Sequence, residues 1–286
     1  MLIVSASRRT DLIAFFPKYL AEAIKKRKIE VKGPFGYKYR VDLTPDNVHT
    51  FVLWSKNFSN FIENRFGLKK LLSEYSQLYL HFTITGFGGT EIEPAIPPAE
   101  RAIEQLDKLV DIVGAERISI RFDPILFYRK GKKIASNIDF FPLLLEKIKE
   151  KGISRVVFSF VQYYSTVVRR FKRNGVEFID PSVEEKLKIG ERMALLSKRY
   201  SIKLFSCSQD FLTKVDGIEK SRCIDAEYFS QIHPLGWKIK HVKDRGQRRE
   251  CGCSKSKDIG DYGMGCPKPC IYCYANKKVN INYGVI

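Results

Sequence analysis

Three observations predict an α/β fold with a largely parallel sheet. Six apolar runs of strand length recur before residue 210, and each is followed by a helix-like stretch or a polar loop. The residues that close these runs are repeatedly of kinds that bind or react. Right-handed crossovers between parallel strands would curl the six into a partial barrel or a doubly wound sheet.

The elements follow in order. Leu2-Ile3-Val4 is the first run, followed by Ser5, Ser7, Arg8, Arg9, Thr10 and Asp11. Phe15 to Arg27 has amphipathic helical spacing. Residues 29 to 43 read as a hairpin insertion that turns near Gly33-Pro34 or Gly36. Thr50 to Trp54 is the second run, ends in Ser55-Lys56-Asn57 and leads to a helix through Leu72. Leu78 to Thr85 is the third, running into Gly86-Phe87-Gly88-Gly89, Glu91 and Glu93. Pro98 to Val113 is helical, and Arg117 to Asp123 forms a fourth run stopped by Pro124. A helix over 139–150 precedes the fifth run, Arg155 to Val161, which ends at Gln162-Tyr163-Tyr164. The helix from Pro181 to Arg199 has glutamates in its first turn and basic residues in its last, complementing its dipole. Ile202 to Phe205 is the sixth run and leads into Ser206-Cys207-Ser208-Gln209-Asp210.

In parallel α/β folds the carboxyl ends of the strands share one face, and that face carries the site. Here it would gather Arg8 and Asp11, Lys56 and Asn57, Glu91 and Glu93, Arg121 and Asp123, Gln162 and Tyr164, and Cys207 and Asp210. Strand ends are polar in any protein. Arg8-Arg9 and Arg121 to Asp123, however, abut apolar runs, where a charge is costly unless paired or ligand-bound.

The length allows one large core, or a core with an appendage. A division near 210 is expected, with a partial barrel over 1–210 and a cysteine-rich tail over 211–286 that folds across the carboxyl face. No apolar run approaches the roughly 20 residues of a membrane helix. The arginines near the start follow the first apolar run, unlike those of a signal peptide. A cytoplasmic protein without a membrane partner is the expectation. The net charge of +18 has clusters at Lys25, Lys26, Arg27 and Lys28, at Arg129, Lys130, Lys132 and Lys133, and at Arg169, Arg170, Lys172 and Arg173. Such charge suits an anionic partner, nucleic acid being the commonest, although a solvated lysine-rich surface accounts for it equally.

Five of the seven cysteines lie between Cys251 and Cys273, and Cys266, Cys270 and Cys273 have C-x3-C-x2-C spacing. A short proline-bearing loop keeps three such sulfurs converging on one side of an inorganic cluster. Three protein ligands on four irons leave one iron open, by the logic that separates catalytic from closed metal sites. The other four, Cys207, Cys223, Cys251 and Cys253, are the number that closes an auxiliary iron–sulfur cluster or a zinc site. A disulfide framework is not expected from an odd count in a chain long enough for its own core. Zinc competes for the first group too, though two regular C-x2-C knuckles are missing. Cys207 and Cys223 also read as small buried residues. His233 and His241, in the stretch between the cysteines, are alternative ligands.

Tyr272 before the last cysteine and Tyr274-Ala275-Asn276 after it give a motif that resembles the signature of radical S-adenosylmethionine enzymes. That superfamily folds as a partial (β/α)6 barrel, which the six alternating strands resemble. Trp54 to Asn57, Thr83 to Pro94 and Arg121 to Pro124 are similar to the branch containing spore photoproduct lyase. The Ser5-Ala6-Ser7-Arg8-Arg9-Thr10-Asp11 opening and the Cys251-to-Asn276 tail resemble, over nearly the whole chain, an uncharacterised domain-of-unknown-function family.

The resemblance implies a [4Fe–4S] cluster on Cys266, Cys270 and Cys273 that binds S-adenosylmethionine at its open iron. Reduction by a donor such as flavodoxin or ferredoxin would then yield a 5′-deoxyadenosyl radical. It places Tyr272 near the adenine. By strand-end position Arg8 or Arg121 is a candidate for the cofactor carboxylate, Asp123 for the ribose hydroxyls, and Arg8, Asp11 and Lys56 for the pocket. Two departures matter. The superfamily's cysteines follow the first strand, whereas these lie at the far end, so the tail must fold back across the carboxyl face. The usual Gly-Gly-Glu after strand two is missing, and Gly88-Gly89-Thr90-Glu91 after strand three is an imperfect substitute. The expectation is a radical S-adenosylmethionine enzyme acting on an anionic substrate. The alternative is a non-catalytic, zinc-stabilised nucleic-acid-binding protein.

Overall fold

The computed structural model describes residues 1–33, 36–267 and 270–273. Pro34 of the expected hairpin turn and the Tyr274-Ala275-Asn276 continuation lie outside the described residues. β1 (Leu2–Ala6) leads through α1 (Leu12–Phe15) and α2 (Pro17–Lys25) to a hairpin, β2 (Lys28–Lys32) and β3 (Lys38–Asp42). β4 (Val48–Ser55) is followed by α3 (Ser59–Ile62) and α4 (Leu68–Leu72), and β5 (Leu78–Thr83) by α5 (Ala99–Val113). β6 (Ile118–Ile125) runs into a second hairpin, β7 (Phe127–Lys130) and β8 (Lys133–Ser136), and then α6 (Phe141–Glu150). β9 (Arg155–Phe160) precedes α7 (Ser165–Arg173), β10 (Glu177–Ile179) and α8 (Val183–Arg199). β11 (Lys203–Ser206), β12 (Ile218–Lys220), α9 (Ala226–Gln231) and β13 (Lys257–Asp258) complete the order.

Eight strands form one sheet in the order β12-β11-β9-β6-β5-β4-β1-β13. Every pairing in it is parallel. The six apolar runs read from the sequence are β1, β4, β5, β6, β9 and β11, and they lie side by side in chain order. A doubly wound sheet reverses its order at a switch point. This one does not, which is the arrangement of a partial barrel. The edge strands β12 and β13 both come from beyond residue 210, so the tail contributes to the sheet itself.

Layering follows from the two-residue period of a strand. Phe51, Leu53, Leu80, Phe82, Ile120, Phe122, Val156 and Phe158 turn outward into a large core with Leu20, Leu68, Leu106, Leu144 and Met193 of the helices. Their neighbours Ile3, Val52, Tyr79, Val157 and Phe205 turn inward, onto Ile224, Ala226 and Phe229 in and beside α9 and onto Cys223, Cys251 and Cys253. The inner face of the barrel is therefore filled by the tail. α8 starts at Val183, two residues after the expected Pro181, where Ser182 and Glu185 form a reciprocal capping box. The helix α7 and the small antiparallel sheet β10-β7-β8 escaped the sequence reading, as did β12, α9 and β13 in the tail. The first two are short and charge-rich, and the strands are defined by partners distant in the chain. Among the described residues no helix is long and apolar enough to cross a membrane.

Candidate functional site

The opening Ser5-to-Asp11 stretch is a cradle for the returning tail. β13 runs parallel to β1, with Ser5 opposite Asp258. The Asp258 carboxylate accepts from Ser5 Oγ (2.9 Å), Ser7 Oγ (2.6 Å), the Arg8 amide (2.8 Å) and the Gly260 amide (2.9 Å). Arg8 Nη2 donates to Asp244 at 3.2 Å and to Ser256 Oγ at 3.1 Å. A Cβ at position 260 would lie 2.0 Å from Ser7 Oγ, so only glycine fits there. Arg8 thus faces protein carboxylates of the tail. Asp11 caps α1 through the Ala14 amide (2.9 Å) and accepts from Ser55 Oγ and the Lys56 amide, both at 3.0 Å. These contacts explain why two charged residues stand so close to the first apolar run.

Farther along, the cysteine loop lies over the carboxyl ends of β4 and β5. The Ile271 amide donates to the Ile92 carbonyl at 3.1 Å. Ile271 packs with Phe87, Ile92, Val167 and Phe171, and Tyr272 borders the same apolar cluster. The centre of the contact is Glu93, only 1% exposed. Its Oε1 accepts from Lys56 Nζ (2.8 Å), from Thr85 Oγ1 (2.9 Å) and from the Tyr272 hydroxyl. A strand end, the following loop and the tail therefore meet on one carboxylate. Cys270 is buried, while Cys266 and Cys273 are half-buried.

The electrostatics of this loop follow from burial. Burial pushes the Cys270 thiol up to about 12, with Lys56 opposing and Glu93, Cys273 and Cys266 adding to the rise. Burial, then Glu93 and Cys270, likewise raise the Tyr272 phenol well above its usual range. Burial works against the charge of Lys56, but Glu93 and Cys270 outweigh it and leave the ammonium firmly protonated. As an isolated thiol Cys270 is held neutral. A bound cation would invert that balance, because a coordinated thiol is deprotonated outright.

Glu93 is the residue whose role sequence reasoning missed. Glu91, next to the Gly-Gly pair, is exposed and pairs with Lys130 instead. Gly88 lets the loop turn Glu93 inward, since a Cβ there would sit 1.9 Å from the Pro97 carbonyl oxygen. The available signal was a carboxylate between apolar neighbours, Ile92 on one side and Pro94-Ala95-Ile96 on the other.

The second group lies on the inner face of the barrel. The Arg121 guanidinium, 9% exposed, donates to Cys223 Sγ at 2.9 Å, to Asp123, and more distantly to Cys207 Sγ at 4.0 Å. It also sits 5.3 Å over the Trp54 ring, which stacks on His81 at 4.1 Å. The Cys207 and Cys223 sulfurs are 3.9 Å apart. Cys251 and Cys253 adjoin Cys223 in the same buried cluster. The neighbouring thiols of Cys207 and Cys253 hold the Cys223 thiol well below its usual range, with Arg121 reinforcing them against burial. Burial opposes the Arg121 charge, but Cys223, Asp123 and Cys207 together stabilise it. Asp123 accepts from Ser159 Oγ as well and is within electrostatic reach of both Lys56 and Cys207. It stands between the two groups.

Neither histidine considered as a ligand joins a thiol group. His233 stacks on Trp237 (4.9 Å) and lies tilted against His49 (4.5 Å), and His241 Nδ1 pairs with Ser254 Oγ at 2.8 Å. Among the described residues no three His, Cys, Asp or Glu side chains converge as ligands of a single metal ion do. A cubane cluster asks for a wider set, its ligand sulfurs standing roughly 6 to 7 Å apart.

A search among curated proteins finds no match. The model of one family, described as Domain of unknown function (DUF1848), matches residues 3–275, and the chain belongs to that family.

Proposed function

We propose that this chain is a radical S-adenosylmethionine enzyme acting on an anionic substrate, with a [4Fe–4S] cluster held by Cys266, Cys270 and Cys273. The observation that carries this reading is the docking of the three-cysteine loop at the carboxyl ends of β4 and β5, through Glu93, Lys56 and Tyr272. A parallel barrel keeps its chemistry at that face. The donor set fits such a group: three soft thiolates suit iron–sulfur ligation and stop one short of closing a cube. When bound, the cluster with S-adenosylmethionine supplies one-electron cleavage of the sulfonium and a radical that abstracts hydrogen.

The chain's own residues supply position and enclosure. Glu93 fixes the loop and neutralises Lys56. Tyr272 is pinned by its hydroxyl, so its ring orientation is set. Phe87, Ile92, Val167 and Phe171 keep water from the loop's apolar side. Asp123, anchored by Arg121 and Ser159 yet part-exposed, can accept from a ligand hydroxyl between the two groups.

One observation favours a second reading. The 3.9 Å between Cys207 and Cys223 is close to the separation of two thiolates on one tetrahedral zinc, about 3.8 Å for Zn–S bonds of about 2.3 Å. Zinc in that set, and in the tail set too, would make the metal a stabiliser of a non-catalytic binding protein. Anaerobic reconstitution separates the two. The enzyme reading expects about four irons, or about eight with an auxiliary cluster, and reductive cleavage of S-adenosylmethionine to 5′-deoxyadenosine and methionine. A colourless protein with stoichiometric zinc in both sets and no cleavage overturns it.

A further inference from the structure

The basic stretches 129–133 and 169–173 are separated in the chain and joined by the fold. β6 and β9 are neighbours in the sheet, and each sends an extra segment out from its carboxyl end. β6 runs into the β7–β8 hairpin and β9 into α7 and β10. β10 then pairs antiparallel with β7, Glu177 opposite Arg129 and Phe178 opposite Tyr128. Phe178 packs 5.5 Å from Phe171 of α7, in the apolar cluster that also takes in Ile271 of the cysteine loop. Arg170 donates to the Cys273 carbonyl. The unit is thus attached directly to the candidate site.

Segments 127–136 and 163–179 carry eight lysines and arginines and one carboxylate, Glu177. Arg129 pairs with Glu177 at 2.9 Å, and Lys130 pairs with Glu91 from a neighbouring loop. Those pairings leave Lys132, Lys133, Arg169, Lys172 and Arg173, all exposed, with no carboxylate partner among the described residues. Like charges on so small a unit repel one another unless an anion covers them. Where β9 reaches the same face, Tyr163 is 63% exposed, its ring backed by Phe178 at 5.8 Å. Tyr164, also exposed, follows it. Cations spread over a surface follow successive phosphates, and a backed, exposed ring stacks an unpaired base. A duplex would hide its bases from Tyr163, and a small phosphate would call for converging cations. We infer that the β7–β8–β10–α7 unit is a docking surface for single-stranded nucleic acid. This rests on the anionic-substrate part of the reading above and gives that substrate a class, but the binding itself requires no metal.

The test uses the full chain and fluorescein-labelled 20-nucleotide single strands of RNA and DNA, with the matching duplex and inorganic phosphate as comparisons. Single strands are expected to bind at least tenfold more tightly than duplex, with affinity falling as salt rises. The triple variant Lys132→Glu, Arg169→Glu, Arg173→Glu is expected to lose at least tenfold. Tyr163→Ala is expected to lose about fivefold or more on single strands, in line with a base stack of ~1–3 kcal/mol, and nothing on duplex. A control triple, Lys25→Glu, Lys26→Glu, Lys28→Glu, removes as much charge at the far end of α2 and should change binding less than twofold. Equal losses in the two triples, a silent Tyr163→Ala, equal binding of duplex, or no binding by the wild type would each overturn the inference. S-adenosylmethionine cleavage without substrate is followed in parallel on reconstituted protein. Lost binding with intact cleavage refutes this surface alone, and intact binding without cleavage refutes the enzyme reading alone.

Discussion

The two cysteine groups are built in opposite ways. Cys266, Cys270 and Cys273 are close in sequence and reach their place by docking a loop onto Glu93 and an apolar patch. Cys207, Cys223, Cys251 and Cys253 are drawn together by topology: one follows β11, one follows β12, and two return across the inner face. Their charge states differ for a related reason. In the tail group Lys56, the cation that opposes the rise of Cys270, is engaged by Glu93, and burial leaves Cys270 protonated. In the inner group Arg121 donates straight to Cys223, and that thiol is stabilised as a thiolate together with its thiol neighbours. Local spacing can aim thiols at one point, whereas the counter-charge that sets their ionisation comes from elsewhere in the fold.

The strongest way to break this comparison is to delete one thiol of the tail group. Cys266→Ala, Cys270→Ala or Cys273→Ala should each remove that group's iron and bring S-adenosylmethionine cleavage below detection, while metal in the inner group persists. Iron counts and visible spectra of each variant check this. If Cys223→Ala removes the same iron instead, the division into three and four is wrong.

Arg121→Met comes next. It strands a half-buried carboxylate and a buried thiolate without their counter-ion, and loss of one partner of a buried pair costs about 3–5 kcal/mol. Denaturant unfolding of the metal-free protein measures it. Arg121→Lys should recover only part, because an ammonium cannot reach Cys223 and Asp123 in the planar fork geometry. Full recovery by lysine would show that charge alone, without geometry, holds the inner group.

Glu93→Gln is expected to act on the tail group only. The amide oxygen still accepts from Tyr272 and Thr85, so the loss is that of the charge on Lys56, about 1–3 kcal/mol. The same variant should surrender tail-group metal to a chelator faster than wild type, with the inner group unchanged. Equal acceleration in both groups would mean that the two share one anchor.

The smallest effect lies away from both groups. His49 and His233 are buried near the amino ends of the strands, and burial holds both below the ordinary histidine range. The unfolded chain therefore binds protons first as pH drops, and the stability that depends on neutral rings is lost below the ordinary histidine value of about 6.5. Unfolding midpoints between pH 7 and pH 5 should fall for wild type and fall less for His233→Asn. A flat profile in wild type would contradict the depressed values.

Much of the scaffold was readable from local patterns. The six strands are apolar runs broken by glycine, proline and polar clusters, α8 announces itself by its first-turn glutamates and last-turn basic residues, and the C-x3-C-x2-C spacing is local by definition. Arg8 and Arg121 were also conspicuous as charges against apolar runs, because an unpaired charge there would be costly. What those charges face was not readable. Arg8 meets Asp244 and Asp258, and Arg121 meets Cys223, only once the tail has crossed the barrel.

The sequence by itself determined the six principal strands and most of the helices between them, the cysteine spacing and the sign of the surface charge, since these depend on neighbours within a few residues. Tertiary structure alone decided that the tail fills the inner face and adds both edge strands, and that Glu93 rather than Glu91 is buried. It also decided that two distant basic segments, one in a hairpin and one in α7, belong to one unit joined by the β7–β10 pairing. The physical reason is common to all three. A strand's partners, and a carboxylate's burial, are settled by which surfaces lose water together, and that is a property of the packed chain rather than of any stretch within it.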